Sequence, residues 1–273
     1  MISASLVLYN TKENDLRKVI HCVHHSIINT LFVIDNSPTN VLEAIVKELS
    51  NKCEYIHGQG NIGYGGAHNI GIKKSIEKHA EYHIVLNPDI YFKPEVIDQL
   101  YTFAQRHYEI GLILPKVTYP NGDLQYLCKL LPTPLDIFGR RLLPKKLIKK
   151  RNERFEMRKT GYNTTWNCPI LSGCFMFLRT STLKQVGGFD ERFFMYFEDF
   201  DLMRRLHRVS QTVYYPHVTI IHNHAAEHHT NKDLLKASIQ SAIKYFNKWG
   251  WLIDRERTIV NKHAFDEENK ILN

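Results

Sequence analysis

No stretch of this 273-residue chain approaches the run of about 18 apolar residues that a membrane-spanning helix needs. It opens on Met1-Ile2-Ser3-Ala4 with neither a basic segment nor a long apolar core, so no signal peptide is expected and a cytoplasmic protein is. Cysteine is sparse. The five residues Cys22, Cys53, Cys128, Cys168 and Cys174 are odd in number and no two sit in a C-x-x-C spacing, which argues against a zinc or dithiol motif and for reduced thiols. A P-loop is missing, and the glycine-rich segment from Gly60 to Gly71 does not keep the G-x-G-x-x-G spacing. There is no internal repeat and no low-complexity tract. The 43% hydrophobic and 23% charged residues are those of an ordinary globular domain large enough to bury a core.

The net charge of +8 is unevenly spread. Ten basic residues lie between Arg140 and Lys159, against only Glu153 and Glu156. This stretch is either a solvated helix and loop face or an attraction to an anionic surface such as phospholipid or a pyrophosphate-bearing acceptor. Nucleic acid is not an expected partner, because no nucleic-acid module accompanies the charge.

Short β-rich runs alternate with helical patterns through the first half. Strands are expected at Ser3–Tyr9, Leu31–Asp35, Glu54–His57 and Tyr82–Leu86, and helices at Asp15–Ile28, Val41–Leu49, around Ile70–Ile72 and from Pro94 to about Arg106. Further strands are expected at Gly111–Val117, Leu171–Leu178, Thr212–Tyr215 and Val218–Ile221. Asp233–Trp249 reads as an amphipathic helix with Leu235, Ile239, Ala242, Ile243, Phe246 and Trp249 on its apolar stripe. Residues 120–165 show no clean period and read as a basic, irregular excursion. Such alternation predicts an α/β fold, doubly wound on a mostly parallel sheet, with ligands beyond the carboxyl ends of the strands.

Polar groups gather at those ends. Tyr9-Asn10 and Asp35-Asn36 each follow a strand, where a carboxylate can grip a nucleoside or simply form a turn. The glycines of Gly60-Asn61-Ile62-Gly63-Tyr64-Gly65-Gly66-Ala67-His68-Asn69-Ile70-Gly71 precede or open a helix, whose N-terminus suits a phosphate. Asn87-Pro88-Asp89 offers one carboxylate to a divalent cation. Glu198, Asp199 and Asp201 crowd within four residues between aromatics, and capping explains one of them but not three. Such crowding suits a general base tuned by its neighbours. Of His217, His222, His224, His228 and His229, His222 ends a strand and reads as a metal or phosphate ligand or as a solvated histidine.

Together these segments resemble glycosyltransferase family 2, over about residues 3 to 225. The matching pieces are Tyr9-Asn10, Asp35 to Ser37, Asn61 to Gly71, Asn87 to Asp89, and the block from Gly187 to Arg205. Ile221-His222 and the Tyr245–Trp251 segment resemble the bacterial rhamnosyltransferase-like branch. The chain departs from many relatives in having Asn-Pro-Asp where they carry Asp-x-Asp, and Ala225-Ala226 where the branch often has serine.

The resemblance implies a GT-A fold, a Rossmann-like mostly parallel central sheet with helices on both faces. A catalytic domain would occupy residues 1–225 and a C-terminal helical extension 226–273. It implies an inverting transfer from a nucleotide-diphosphate sugar, dTDP-rhamnose or a UDP-sugar, to a hydroxyl of a glycan or polyprenyl-diphosphate-linked acceptor in bacterial surface polysaccharide synthesis. Peripheral contact with the inner face of the plasma membrane goes with that acceptor. Asp199 and Glu198 would be catalytic. Tyr9, Asn10, Asp35, Asn61, Gly63, Tyr64, Gly65, Gly66, Asn69, Asn87, Asp201 and Arg204 would bind the donor. Asp89 and His222 would hold Mg2+ or Mn2+. Two rival classes are a nucleotidyltransferase, disfavoured by the glycine-free loop Asn10–Asn14, and a non-catalytic carbohydrate-binding protein, disfavoured by the intact Glu198–Asp201 block.

Overall fold

Ile2–Leu8 is buried along almost its whole length, as befits a strand covered on both faces by helices. In the computed structural model, which describes residues 1–223 and 232–271, this strand is β1. It pairs in parallel with β2 (Thr30–Asp35) on one side and β4 (Tyr82–Leu86) on the other, and β3 (Cys53–His57) continues the parallel ladder beyond β2. The crossovers are α1 (Glu13–His24), α2 (Glu43–Leu49) and α3 (Tyr64–Glu77).

The second half is built from β5 (Ile90–Tyr91), α4 (Glu95–Arg106), β6 (Ile110–Thr118), α5 (Pro134–Leu142), α6 (Lys145–Phe155), β7 (Trp166–Asn167), β8 (Phe175–Arg179), α7 (Thr180–Val186), α8 (Glu198–His207), β9 (Gln211–His222), α9 (Lys232–Trp249) and α10 (Arg255–His263). The sheet runs β3-β2-β1-β4-β8-β6-β9-β5, with β7 attached to β9. β8 is antiparallel to both neighbours, while β6 and β9 are parallel. The expected α/β architecture on a mostly parallel sheet is therefore present. The carboxyl ends of β1 and β4 lie side by side in register, which brings the segments after Leu8 and Leu86 together.

Four local expectations are corrected. First, the two strands expected at 212–221 are one strand. Its register against β6 shifts between Pro115 and Lys116, so the bulge lets the strand pass Pro216, which has no N–H for the ladder. Second, Leu171–Cys174 is not part of β8 but a loop before it. Third, residues 120–165 are not irregular throughout. Thr133 caps α5 by accepting from Asp136 N, Asp136 returns the bond to Thr133 N, and Pro134 fills the first turn. Fourth, α9 buries Ser241, Ala242, Tyr245 and Phe246 and leaves Leu235, Ile239 and Ile243 exposed. Two apolar stripes overlap on that helix, and the aromatic one wins because it meets Phe193 and Phe197.

The C-terminal elements are tied to the rest by charge as well as by that aromatic cluster. Arg204 of α8 reaches Asp254 through both terminal nitrogens, at 2.8 and 2.7 Å, and Glu256 through Nε at 2.7 Å. Its guanidinium also lies 4.3 Å from the centre of the Trp249 ring. The side chains of Arg204 and Asp254 are only 2% and 3% exposed, so removing one partner strands a charge in the interior. Burial alone would raise the Asp254 pKa. Arg204, together with the backbone N–H and charge of Arg257, outweighs it and holds the carboxyl below its ordinary value. Its contribution to stability is thus present above the unfolded carboxylate pKa and is lost as pH falls through the depressed folded value. Asp254→Ala is expected to cost about 3–5 kcal/mol of unfolding free energy, measured by urea denaturation at neutral pH. A change under about 1 kcal/mol would remove the pair from the stabilising interactions.

Candidate active site

The loops after β1 and β4, the Ser172–Cys174 loop, the start of α8 and the end of β9 enclose a cleft of about 560 Å³. That volume lies within the usual range for small-molecule sites. Tyr9, Asn10, Tyr64, Asn87, Asp89, Glu198, Asp199 and His222 all line it.

α8 enters the cleft through a strained turn. Tyr196 and Phe197 both have φ of 66°, a left-handed conformation that costs most residues energy and that persists where the surroundings enforce it. Phe197 packs on Tyr245 and Phe200, which holds the turn. Two carboxylates follow at once. Asp199 Oδ2 accepts from Gly173 N at 3.1 Å and Oδ1 from Phe200 N at 2.9 Å. Burial raises the Asp199 pKa, while the ammonium of Lys129 and those backbone N–H groups pull it back toward the charged form. Glu198 is more deeply buried. Burial, and then the Asp199 charge, push its pKa well above the ordinary value. Its Oε2 has no hydrogen-bond partner among the described residues. Glu198 is thus held as the acid, and Asp199 is the carboxylate of the pair that can carry charge.

The opposite wall carries Asp89, which is half-buried and lies 3.4 Å from His222 Nε2. His222 Nδ1 sits 3.0 Å from Gln125 Oε1, and Gln125 Nε2 donates to His222 O at 2.9 Å. Burial alone would lower the imidazole pKa, but Cys174 and Asp89 beside it carry it up to about 10. Tyr64 OH stands 2.9 Å from Asn87 Oδ1 and 2.8 Å from Gly173 O, joining the floors of the two walls. Tyr9 is exposed at the rim, 52% accessible. Asn10 donates from its backbone to Ser37 Oγ at 2.8 Å.

Several expected donor residues stand elsewhere. Asp35 is buried behind the cleft. Its Oδ1 accepts from Ser37 N at 2.9 Å and its Oδ2 from Tyr55 OH at 2.6 Å, so it shapes the turn that presents Asn36 to the cleft. Asn61 closes the glycine loop on itself by accepting from Gly63 N. Gly63 is needed at the start of α3 because its φ is 82° and an added Cβ would run into the Phe194 carbonyl. At Gly65 a Cβ would sit 2.8 Å from Phe189 Cβ. Gly66 faces Ile62 rather than the cleft. The absence of a Cβ at Gly63 and Gly65 therefore lets α3 dock against the 189–198 arch. Asn69 completes that contact by donating to Phe189 O at 2.9 Å and accepting from Phe189 N at 2.8 Å. Asp201 is fully buried under Arg205, Lys248 and Trp249, and Arg204 is held by Asp254 and Glu256, so neither lines the cleft. His224, His228 and His229 lie outside the described residues.

Other functional candidates are not among the sequence-based choices. Asn36, Lys12, Asp15, Ser172, Cys174, Met195, Tyr196 and Asn223 line the cleft, and Lys129 approaches Asp199 from the 120–165 segment. The position of Asn36 directly after β2 was the one available signal. Lys129 carried none, because its proximity to Asp199 is a product of the tertiary fold.

This arrangement agrees with comparisons to known proteins. Residues 3–187 match the family description "Glycosyl transferase family 2". The chain belongs to that family. It is 30% identical over 223 residues to an N-acetylglucosaminyl-diphospho-decaprenol L-rhamnosyltransferase of Mycobacterium tuberculosis, covering 76% of this chain and 69% of that one. It is 26% identical over 256 residues to the rhamnosyltransferase WbbL of Escherichia coli, covering 91% and 89%. Among solved structures, Staphylococcus aureus TarS 1–349 with UDP-GlcNAc superposes with a TM-score of 0.61 at 15% identity, over 98% of this chain and 74% of that one. Full TarS gives 0.60 at 16% identity, with this chain spanning 44% of its length. A Pyrobaculum calidifontis mannosyltransferase with GDP-Man and Mn2+ gives 0.54 at 13% identity, over 81% and 56%. These likenesses establish the GT-A fold, and the family makes the chain a glycosyltransferase.

Because Asn69 clips the arch rather than facing the cleft, Asn69→Ala should act through stability. Unsatisfying the buried Phe189 backbone is expected to cost about 1–3 kcal/mol, seen as a lower melting temperature, while donor affinity of the folded protein stays within about threefold of wild type. A large loss of donor affinity at unchanged melting temperature would return Asn69 to the donor site.

Proposed function

We propose that this family 2 enzyme transfers a sugar, with inversion, from a nucleotide-diphosphate donor to a hydroxyl of a lipid-linked glycan acceptor in the assembly of a surface polysaccharide. The observation that carries the chemistry is Asp199, a cleft-lining carboxylate whose buried neighbour Glu198 is kept neutral and whose own charge is supported by Lys129. The relatives named as rhamnosyltransferases favour rhamnose as the sugar, with dTDP-rhamnose as the donor and a UDP-sugar as the alternative. The catalytic unit is assigned to residues 1–225 and the extension to 226–273.

In this reading Tyr9 stacks on the nucleobase, and Asn10 and Asn36 meet the nucleoside at the carboxyl ends of β1 and β2. Asn87, held by Tyr64, orients the diphosphate. The acceptor hydroxyl approaches the anomeric carbon from the side opposite the diphosphate. As its oxygen bonds to that carbon, its proton passes to Asp199 and the bond from the carbon to the diphosphate oxygen breaks, the electron pair leaving with the nucleotide. A base of this kind contributes on the order of 10²–10⁴-fold.

The donor set at the opposite wall fits a divalent cation. Asp89 and His222 converge on the same side of the cleft, and Mg2+ is ordinarily held by one or two carboxylates together with substrate phosphate and water. Asp89 would hold Mg2+ or Mn2+, with His222 joining as a ligand once the ion displaces the proton that Cys174 and Asp89 favour on its ring, and the ion would supply Lewis-acid stabilisation of the departing diphosphate.

Asp199→Asn is expected to lower kcat by on the order of 10²–10⁴-fold with donor affinity and melting temperature nearly unchanged, read by a transfer assay and donor titration. Retention of a tenth or more of the wild-type rate would exclude Asp199 as the base. Because the base acts deprotonated and its pKa is raised, kcat in the wild type should fall with decreasing pH along a limb above the ordinary aspartate range. Chelation by excess EDTA should abolish turnover, Mg2+ or Mn2+ should restore it, and Asp89→Ala should raise the metal concentration required. Undiminished transfer in EDTA would mean that cationic side chains alone neutralise the leaving group.

A further inference from the structure

We propose that the face formed by α5, α6 and the Trp251–Ile253 loop is a docking surface for an anionic lipid bilayer. The proposal rests on the lipid-linked acceptor for its purpose, though not for its evidence.

Leu142, Leu147, Leu252 and Ile253 are between 74% and 88% exposed, an unusual way to spend large aliphatic side chains. They are not scattered. Leu142, Leu143 and Leu252 share an apolar groove of about 580 Å³ with Leu135, Phe138 and Trp251. Its floor is aromatic: Phe138 and Trp251 stack nearly parallel at 6.2 Å and Phe246 backs Trp251 at 5.2 Å. Leu147 stands on the next helix, anchored there by Ile148, which is buried.

The charge on α6 is mostly positive, with Glu153 as the single carboxylate of that helix. Arg140 pairs with Glu156 and Arg151 with Asp136, so those arginines are spent within the fold. Lys146, Lys149 and Lys150 are exposed on α6, and no ion pair among the described residues engages them. Aliphatic tips set among unneutralised lysines suit the boundary between acyl chains and acidic headgroups, where the apolar groups enter and the ammonium groups stay with phosphate. A second copy of this chain fits poorly, because an isologous contact would bring the same three lysines against one another.

The position of the face gives it a use. Phe138 and Tyr196 both pack against the cluster of Phe193, Phe197, Tyr245 and Phe246, and Tyr196 also lines the cleft. The aromatic cluster therefore touches both the groove, through Phe138, and the cleft, through Tyr196, so a bilayer seated on this face lies beside the site that takes a membrane-anchored acceptor.

The test is co-sedimentation with vesicles of phosphatidylcholine alone and of phosphatidylcholine mixed with phosphatidylglycerol. Wild type should bind the mixed vesicles, less so as salt rises, and bind pure phosphatidylcholine weakly. Each lysine near an anionic surface is worth about fivefold in partitioning, so the triple variant K146E/K149E/K150E should lose on the order of 100-fold. The variant L142S/L147S/L252S/I253S should lose binding that salt does not remove. All seven side chains are exposed, and unchanged melting temperatures would show both variants folded. Equal sedimentation of wild type and both variants, or no sedimentation of wild type with mixed vesicles, would overturn the proposal. A concentration-dependent dimer abolished by the serine variant, without vesicle binding, would overturn it in favour of self-association. Donor-induced stabilisation, measured in parallel, reports separately on the glycosyltransferase reading and needs no membrane.

Discussion

Glu198 and Asp199 are adjacent, largely withdrawn from water, and of like charge, so ionising both is unfavourable. Most of what surrounds them answers that constraint. The left-handed turn at Tyr196 and Phe197 puts both at the start of α8, where the N–H groups of Gly173 and Phe200 face Asp199. Lys129 adds positive charge on the same side, while Glu198 Oε2 has no hydrogen-bond partner among the described residues. The asymmetry sorts two chemically similar groups into an acid and a base without any difference in their backbone position along the helix.

The second dependence is mechanical. The start of α8 is held in place from below by α3, whose glycines allow it to approach Phe189 and Phe194, and from behind by the aromatic cluster on α9. The glycine-rich segment reads from the sequence as a place for phosphate, yet its tight backbone serves another piece of the same chain. Both uses require the same property, close approach without a Cβ, and local sequence does not distinguish them.

The legible parts were those whose meaning is local. The alternation of strands and helices, the polar groups at the ends of β1 and β4, and the Glu198-Asp199 pair are all short-range patterns, and the cleft assembles them. The misread parts depend on distant partners. Asp201 and Arg204 sit in a motif-like block, but Trp249, Lys248, Asp254 and Glu256 claim them, and the first of those lies 48 residues beyond Asp201. Asp35 was placed at the correct strand end, and its side chain turned inward to Tyr55. The α5 cap, Thr133-Pro134-Leu135-Asp136, was readable but hidden by the surrounding basic residues.

The fork between Arg204 and Asp254 spans 50 residues of sequence. During synthesis α8 therefore reaches its place with a guanidinium bound for the interior and no counter-ion yet made. Until the segment carrying Asp254 has cleared the ribosome, that helix is better off solvated than packed, and the cleft it borders stays incomplete.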